Sequence, residues 1–306
     1  MKLLKPDFWK DNNLISFLIR PITLITRLVI LLKKSQNSFE SDIPSICVGN
    51  IYLGGTGKTQ LVIKINEILK KKYKIFVIKK KYGNQIDEQR LLNKKTNLIL
   101  PMNRIEGLKT IPKSNKNIAV FDDGLQDKSI KYDISIVCFS SISGVGNEKL
   151  LPAGPLREDL SELKSYNAAF INGKKNKFLV KKIKKFNQNI KIFYGRYILK
   201  NKKEFSSKSN YLAFCGIGTP ENFFNLLKEN KINVKKKLIF PDHFNYKNID
   251  IKKINNLAKK NNLKIVTTEK DYMKIKKFKN LKVKFTIIDM IIEKNSIFKK
   301  FLTNYL

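Results

Sequence analysis

From Ser45 onward the chain alternates short apolar runs with longer amphipathic stretches, the pattern of an α/β fold in which helices cover a buried parallel sheet. Residues 45–48, 75–78, 117–121 and 134–139 read as strands. A helix is predicted over residues 61–71, with Leu61, Ile65, Ile68 and Leu69 on one face. The theme resumes further on, where residues 211–215 and 264–267 read as strands beside helical stretches at 221–230 and 250–261. Lysine and asparagine dominate residues 176–203, which marks a seam between two halves.

Ahead of the sheet, residues 14–32 read LISFLIRPITLITRLVILL, about the length of a bilayer span, but Arg20, Pro21 and Arg27 interrupt the run. Three placements stay open: a helix lying in or dipping into a membrane, a soluble helix packed on the core, and a true span. Trp9, the only tryptophan, stands beside Phe8 and Lys10, as an interfacial anchor would, and favours the first placement. No small-residue cleavage site follows before Lys33 and Lys34, so the segment is expected to stay on the mature protein.

Composition narrows the choice of partner. The 306 residues hold 62 Lys+Arg against 25 Asp+Glu, a net charge of +37 that suits nucleic acid, anionic lipid or phosphorylated substrates. With 42% hydrophobic residues the chain is no disordered basic tail. Arginine occurs only at Arg20, Arg27, Arg90, Arg104, Arg157 and Arg196, and lysine is spread everywhere, which reads as compositional drift and not as a concentrated nucleic-acid site. Nucleic acid is therefore not expected as a partner. Cys47, Cys138 and Cys215 lie far apart with no C-x-x-C pair, so a reducing compartment and inert thiols are expected, with no zinc site.

Chemistry enters at Gly54-Gly55-Thr56-Gly57-Lys58-Thr59, between a predicted strand and a predicted helix. Such a loop presents backbone N–H groups and a helix N-terminus to phosphate, with Lys58 for the β- and γ-phosphates and Thr59 for Mg²⁺. Tyr52 stands where the general G-x-x-x-x-G-K-[ST] pattern has its first glycine. Asp122 and Asp123 end an apolar strand, where the acidic, metal-organising residue of a nucleotide site belongs; together with Lys58 they argue for Mg²⁺-nucleotide. The segment Leu151-Pro152-Ala153-Gly154-Pro155-Leu156-Arg157-Glu158 reads equally as a rigid site loop or a surface turn. His243, the single histidine, is either structural or a general base oriented by a carboxylate. The segment from Thr267 to Asp271 is a phosphate- or base-contacting loop or a helix cap led by Thr268.

Taken in order, Val48-Gly49-Asn50, the glycine loop, Asp122-Asp123-Gly124-Leu125-Gln126, the Leu151 to Glu158 segment, Gly216-Ile217-Gly218-Thr219-Pro220, Asp242-His243 and Thr268-Glu269-Lys270-Asp271 resemble the tetraacyldisaccharide 4'-kinase family of lipid A synthesis, over nearly the whole chain. The resemblance implies a kinase that moves the γ-phosphoryl of ATP to the 4'-hydroxyl of a tetraacylated glucosamine disaccharide 1-phosphate, giving lipid IVA. Carried over position by position, Tyr52, Leu53, Gly54, Gly55, Thr56, Gly57, Lys58 and Thr59 cradle the triphosphate, and Thr59, Asp123 and Glu158 organise Mg²⁺. His243 is the base, oriented by Asp87, and Asp122 supports the centre; Arg104 and Arg157 supply phosphate charge and Tyr82 lines the site. This chain departs from the family at Lys79-Lys80-Lys81-Tyr82-Gly83, where an arginine is lost and Lys80 keeps only the charge, at Asp127 in place of a histidine, and in a shortened stretch between Tyr82 and Asp87.

The expected architecture is thus a P-loop NTPase-like parallel sheet core with a second, smaller α/β lobe and an N-terminal membrane-associated helix. Residues 1–44 form the helical segment, 45–190 the nucleotide-binding core and 191–306 the smaller lobe carrying His243. Motifs on both sides of the seam imply that the lobes close to assemble the base against the nucleotide. The expected protein is a monomer on the cytoplasmic face of the bacterial inner membrane, peripheral or monotopic, with a glycolipid substrate and an anionic membrane surface as partners. Its rivals are a P-loop enzyme for a soluble small molecule, a nucleic-acid-stimulated NTPase and a lipid-bound scaffold with a dead nucleotide site.

Overall fold

The computed structural model describes residues 6–34, 38–83, 85–278 and 281–305. In chain order the strands are β1 Ser45–Gly49, β2 Lys74–Ile78, β3 Leu98–Ile99, β4 Asn117–Asp122, β5 Ile134–Ser140, β6 Ala168–Asn172, β7 Lys191–Leu199, β8 Asn210–Cys215, β9 Asn233–Ile239, β10 Lys264–Thr268, β11 Val283–Thr286 and β12 Ile288–Ile292. The helices are α1 Leu14–Ile19, α2 Thr23–Lys34, α3 Lys58–Leu69, α4 Ile86–Lys95, α5 Arg104–Lys109, α6 Lys177–Phe186, α7 Pro220–Glu229, α8 Asn248–Lys260, α9 Glu269–Ile275 and α10 Asn295–Thr303.

Eight strands form one sheet in the order β12-β7-β6-β5-β1-β4-β2-β3, parallel from β7 through to β3. Its centre is β1, where Ile46 stands opposite Val120 on one side and Ile134 on the other. Every residue of β1 is buried, which is why it reads as an unbroken apolar run and not an alternating one. Four strands form a second parallel sheet in the order β11-β10-β8-β9, with α7 packed on β8 and β9, and α9 on β10 and β11.

The chain divides into two compact units. The larger holds Lys5–Tyr82, Leu92–Arg196 and Ile291–Leu306; the smaller holds Gly83–Leu91 and Tyr197–Met290. Two features differ from the sequence expectation. The boundary between Arg196 and Tyr197 lies within the expected seam of residues 176–203 but six residues past the expected limit at 190, because residues of β7 through Gly195 pair with β6. The last helix, α10, also belongs to the larger unit: Phe298 is fully buried there, with its ring 4.8 Å from Phe193 and 6.3 Å from Phe170.

The N-terminal segment is not one helix. Arg20-Pro21-Ile22 form a 3₁₀ turn between α1 and α2, as expected where proline has no N–H to give and clashes with the preceding turn. Of Leu14–Leu32 only Ser16 is buried, and Leu14, Phe17, Leu18, Leu24, Ile25 and Leu28 are each more than half exposed. The segment is nevertheless tied down: Thr26 Oγ1 donates to the Leu151 carbonyl at 2.7 Å, and the Trp9 indole N–H to the Pro152 carbonyl at 3.0 Å. Trp9, expected to anchor at an interface, thus spends its polar edge on the protein's own loop.

Truncating Phe298 to alanine is expected to cost about 3–5 kcal/mol, the range for a buried aromatic side chain, measured by urea unfolding. Hydrogen exchange in that variant should accelerate in β6 and β7. Acceleration confined to β8 through β11 would place α10 in the wrong unit.

Candidate active site

At the end of β1 the chain turns through Gly54 (φ 124°) and Gly57 (φ 99°) into α3, so that Lys58 and Thr59 are the first residues of the helix. The helix begins three positions before its first apolar residue, Leu61, because the left-handed Gly57 already starts the turn. Asn50, fully buried at the head of this loop, organises it. Its amide N–H₂ donates to the carbonyls of Tyr52 and Gly54, and its oxygen accepts from Lys58 Nζ at 3.0 Å and Arg157 Nη1 at 2.8 Å.

Arg157 arrives because its segment pairs with the glycine loop. Leu53 N–H donates to the Pro155 carbonyl and Arg157 N–H to the Ile51 carbonyl, and Tyr52 bridges antiparallel to Leu156. The two readings left open for the Leu151 to Glu158 segment therefore resolve toward the glycine loop. Arg157 Nη1 also lies 2.7 Å from Asp123 Oδ1, with Lys58 Nζ at 3.8 Å from the same oxygen. Burial works to raise the Asp123 carboxyl, but Lys58 and Arg157 outweigh it and bring it down to about 2.

The carboxylate hydrogen-bonded to Thr59 is that of Asp122, at 3.2 Å from Oγ1. Its Oδ2 also accepts from Lys79 Nζ at 2.9 Å, a pair in which both side chains are essentially buried. Asp122 Oδ1 is buried without a hydrogen-bond partner among the described residues. Asp123 and Glu158, expected beside Thr59, have other company. Asp123 holds the two cations, and Glu158 accepts from Gln126 Nε2 at 2.7 Å and Tyr166 Oη at 2.9 Å, with Lys128 at 3.3 Å. Gln126 Nε2 in turn donates to the Asn50 carbonyl at 3.0 Å, which joins Glu158 to the glycine loop.

Arg104 opens α5, capped by the Asn103 side chain, and is buried. It donates to Asp127 Oδ2 at 2.8 Å and to the Asp123 carbonyl at 2.6 Å, so the charge expected for phosphate first braces the left-handed Asp123 (φ 67°). Beside it a cleft of about 360 Å³ is lined by Lys80, Met102, Arg104 and Asp127. Tyr82 is partly exposed, with Lys80 Nζ 6.0 Å from its ring centre.

The smaller unit holds a second cluster. The single histidine, His243, sits at φ 54° in the loop after β9, its N–H donating to the Gly216 carbonyl at 3.2 Å. Its Nδ1 is 2.9 Å from Oδ1 of Asp87, a buried residue of the first turn of α4. Lys274 Nζ at 3.3 Å and Lys270 Nζ at 3.7 Å face Asp87 Oδ2, and Lys270 also pairs with Glu88 at 2.9 Å. Burial would raise the Asp87 carboxyl, but Lys270, His243 and Lys274 together hold it well below the usual carboxylate range. Burial likewise disfavours charge on Lys270, yet Glu88 and Asp87 raise its ammonium well above the ordinary value. The other imidazole nitrogen, Nε2, has Glu88 Oε1 and Asp242 Oδ1 each at 3.8 Å. Thr268 caps α9 by accepting the Asp271 N–H at 3.1 Å, which settles its open reading as a cap, and the same turn delivers Lys270 and Lys274 to Asp87.

Sequence reasoning missed three residues that do structural duty here. Asn50 and Gln126 lay inside recognised motifs, but an amide gives no sign of which backbone groups it will bridge. Lys79 was masked by its run: the retained charge was placed on Lys80, yet Lys79 is the buried one because it directly follows β2 into the core.

Comparison with known proteins shows what the chain resembles. A family model described as tetraacyldisaccharide-1-P 4'-kinase matches residues 15–306. The tetraacyldisaccharide 4'-kinase of Pelagibacter ubique is 44% identical, covering 96% of both chains, and that of Rickettsia akari is 34% identical over 98% of both. Among solved structures, an "apo" form of LpxK from Aquifex aeolicus in complex with ATP superposes with a TM-score of 0.70, covering 95% of this chain and 99% of that one. At 20% identity that likeness shows the fold.

Because Asp123 titrates near 2 when folded and near 3.8 when not, it stabilises the fold above the ordinary carboxylate range, and that contribution is lost as pH falls from about 4 to about 2. The stability gap between wild type and Asp123→Asn should therefore narrow by roughly 2 kcal/mol across that window. Chemical denaturation at a series of pH values measures it, and a gap independent of pH would mean that the two cations do not hold the carboxylate.

Proposed function

The chain belongs to the tetraacyldisaccharide 4'-kinase family and is a kinase of lipid A synthesis, and from that premise we propose that it moves the γ-phosphoryl group of ATP to the 4'-hydroxyl of a tetraacyldisaccharide 1-phosphate, forming lipid IVA. The observation that carries this reading is the 2.9 Å contact between His243 Nδ1 and the buried Asp87 carboxylate. Nucleotide binding alone has no use for such a pair, whereas transfer to a sugar hydroxyl needs a group to take its proton.

In this reading Asp87 orients the imidazole and His243 takes the 4'-hydroxyl proton on Nε2 as the sugar oxygen bonds to the γ-phosphorus and the bond to ADP breaks. The backbone from Tyr52 to Thr59 cradles the phosphates. Lys58 and Arg157 meet the charge that spreads over the transferring group, and Asp123 fixes both. Tyr82 and Arg104 offer an aromatic face and positive charge to the acceptor.

The Thr59 and Asp122 oxygens fit Mg²⁺, a hard cation that takes oxygen ligands, and Asp122 Oδ1 is buried without a partner among the described residues. Bound there, Mg²⁺ would neutralise charge on the β- and γ-phosphates. Helices α1 and α2, with their exposed leucines, isoleucines and Phe17, would lie in an anionic membrane surface at the cytoplasmic face, where the acylated acceptor is presented to a monomer. Nucleic acid plays no part in this reading.

Transfer of labelled γ-phosphate from ATP to tetraacyldisaccharide 1-phosphate in detergent micelles tests it. His243→Ala should lower turnover about 10²–10⁴-fold and Lys58→Ala by at least about 10². Full turnover by His243→Ala would remove the base, and nucleotide binding with no product would point to another acceptor. Leu18→Glu combined with Leu28→Glu should release the protein from anionic vesicles in a flotation assay while nucleotide binding persists. Undiminished flotation would place the membrane contact elsewhere.

A further inference from the structure

Around His243 the smaller unit closes a ring of contacts that reaches beyond the Asp87–His243 pair. Asp87 Oδ2 faces Lys274 Nζ at 3.3 Å, and that ammonium donates to Asp271 Oδ1 at 3.1 Å. Asp271, fully buried, accepts with Oδ2 from the Gly216 N–H at 2.9 Å and from Thr268 Oγ1 at 2.8 Å. The Gly216 carbonyl then accepts the His243 N–H at 3.2 Å. The ring runs through α4, α9, the loop after β8 and the loop after β9, so Lys274 is joined to both ends of His243, to the imidazole through Asp87 and to the backbone through Asp271 and Gly216, beside Lys270 on Asp87 and Asp242 on the His243 N–H.

We propose that Lys274, anchored by Asp271, is a positioning residue for the transfer: it holds the second oxygen of Asp87 and, as a cation across the carboxylate from the imidazole, offsets part of the negative charge set against His243. The proposal rests on the reading of His243 as the base. Its physical content is a balance of charges. Asp87 lies against Nδ1, and Glu88 and Asp242 each lie 3.8 Å from Nε2; three carboxylates of this kind favour the imidazolium, which cannot accept a proton. Lys270 answers Glu88 at 2.9 Å and Lys274 answers Asp87. On the far side of Asp271, the hydroxyl of Tyr246 and the thiol of Cys215 are kept protonated, first by burial and then by Asp271, so they add no charge. Deleting the Lys274 charge removes one of the two ammoniums set against Asp87, Glu88, Asp242 and Asp271, and the imidazole should gain its proton at higher pH.

Because the chain has one histidine, its imidazole can be followed without ambiguity by NMR in protein labelled at histidine. In Lys274→Met the His243 titration should move up by about one pH unit, and the acid limb of the kcat/KM profile with it. Turnover below that limb should fall about tenfold, with KM for ATP unchanged. Lys274→Arg should restore both midpoints, and Lys276→Met, which removes an exposed charge on the same turn, should move neither. If Lys274→Met does not fold, Lys274→Gln makes the same change of charge. An unmoved titration midpoint with only a lower plateau would overturn the proposal and make Lys274 structural. A midpoint that moves while the rate profile stays still overturns the role in transfer by removing His243 as base. Full turnover by His243→Ala is the separate result that defeats the underlying reading.

Discussion

The larger unit's chemistry depends on the side-chain amide of Asn50. Two cations, Lys58 and Arg157, converge on its oxygen as they do on Asp123 Oδ1, and the two acceptors together offset their repulsion in a partly buried site. An amide suits the position better than a carboxylate for a reason of charge. Lys58, Arg157 and Asp123 together carry one net positive charge, and a neutral acceptor leaves that charge for phosphate, whereas an aspartate at the same point would cancel it. The amide N–H₂ meanwhile pins the carbonyls of Tyr52 and Gly54, so the group that gathers the cations also shapes the loop.

The two units use one device for different ends. In each, a carboxylate that burial would neutralise is kept ionised by a pair of cations: Lys58 and Arg157 for Asp123, Lys270 and Lys274 for Asp87. Around Asp123 the sum favours an incoming anion. Around Asp87 the same two ammoniums also meet Glu88 and Asp271, so no positive excess is left for an anion. Isolated surface ion pairs contribute little, but these clusters have both partners withdrawn from water, and losing one member strands the others.

Most of the scaffold was legible because its signals are local. Buried parallel strands read as apolar runs; the helix after the glycine loop was legible too, although it starts at Lys58 and not at Leu61 because the left-handed Gly57 already begins the turn. Other features depend on contacts that no local pattern encodes. That β7 serves the larger sheet is decided by its pairing with β6, and that α10 returns to that unit is decided by Phe298 meeting Phe193. Trp9 looked like an interfacial anchor because its neighbours are apolar and basic, and only the fold reveals the Pro152 carbonyl as its partner. Asp87 was carried over by resemblance across a shortened segment; the structure puts it beside His243 although its helix, α4, continues into the other unit.

The lysine-rich background explains which basic residues carry information. A lysine ammonium is a point charge on a flexible stem, sufficient where one contact is needed, as with the buried Lys79 on Asp122. Arg104 meets a different demand, since its guanidinium spans the Asp127 carboxylate and the Asp123 carbonyl at once. Two fixed directions from one plane are what lysine cannot supply, and the strained Asp123 they brace is the residue that orders Lys58 and Arg157. Drift toward lysine can therefore run over the surface, into the core at Lys79 and to paired acceptors at Lys58 and Lys274, whereas at Arg104 one plane reaches a carboxylate and a backbone carbonyl together.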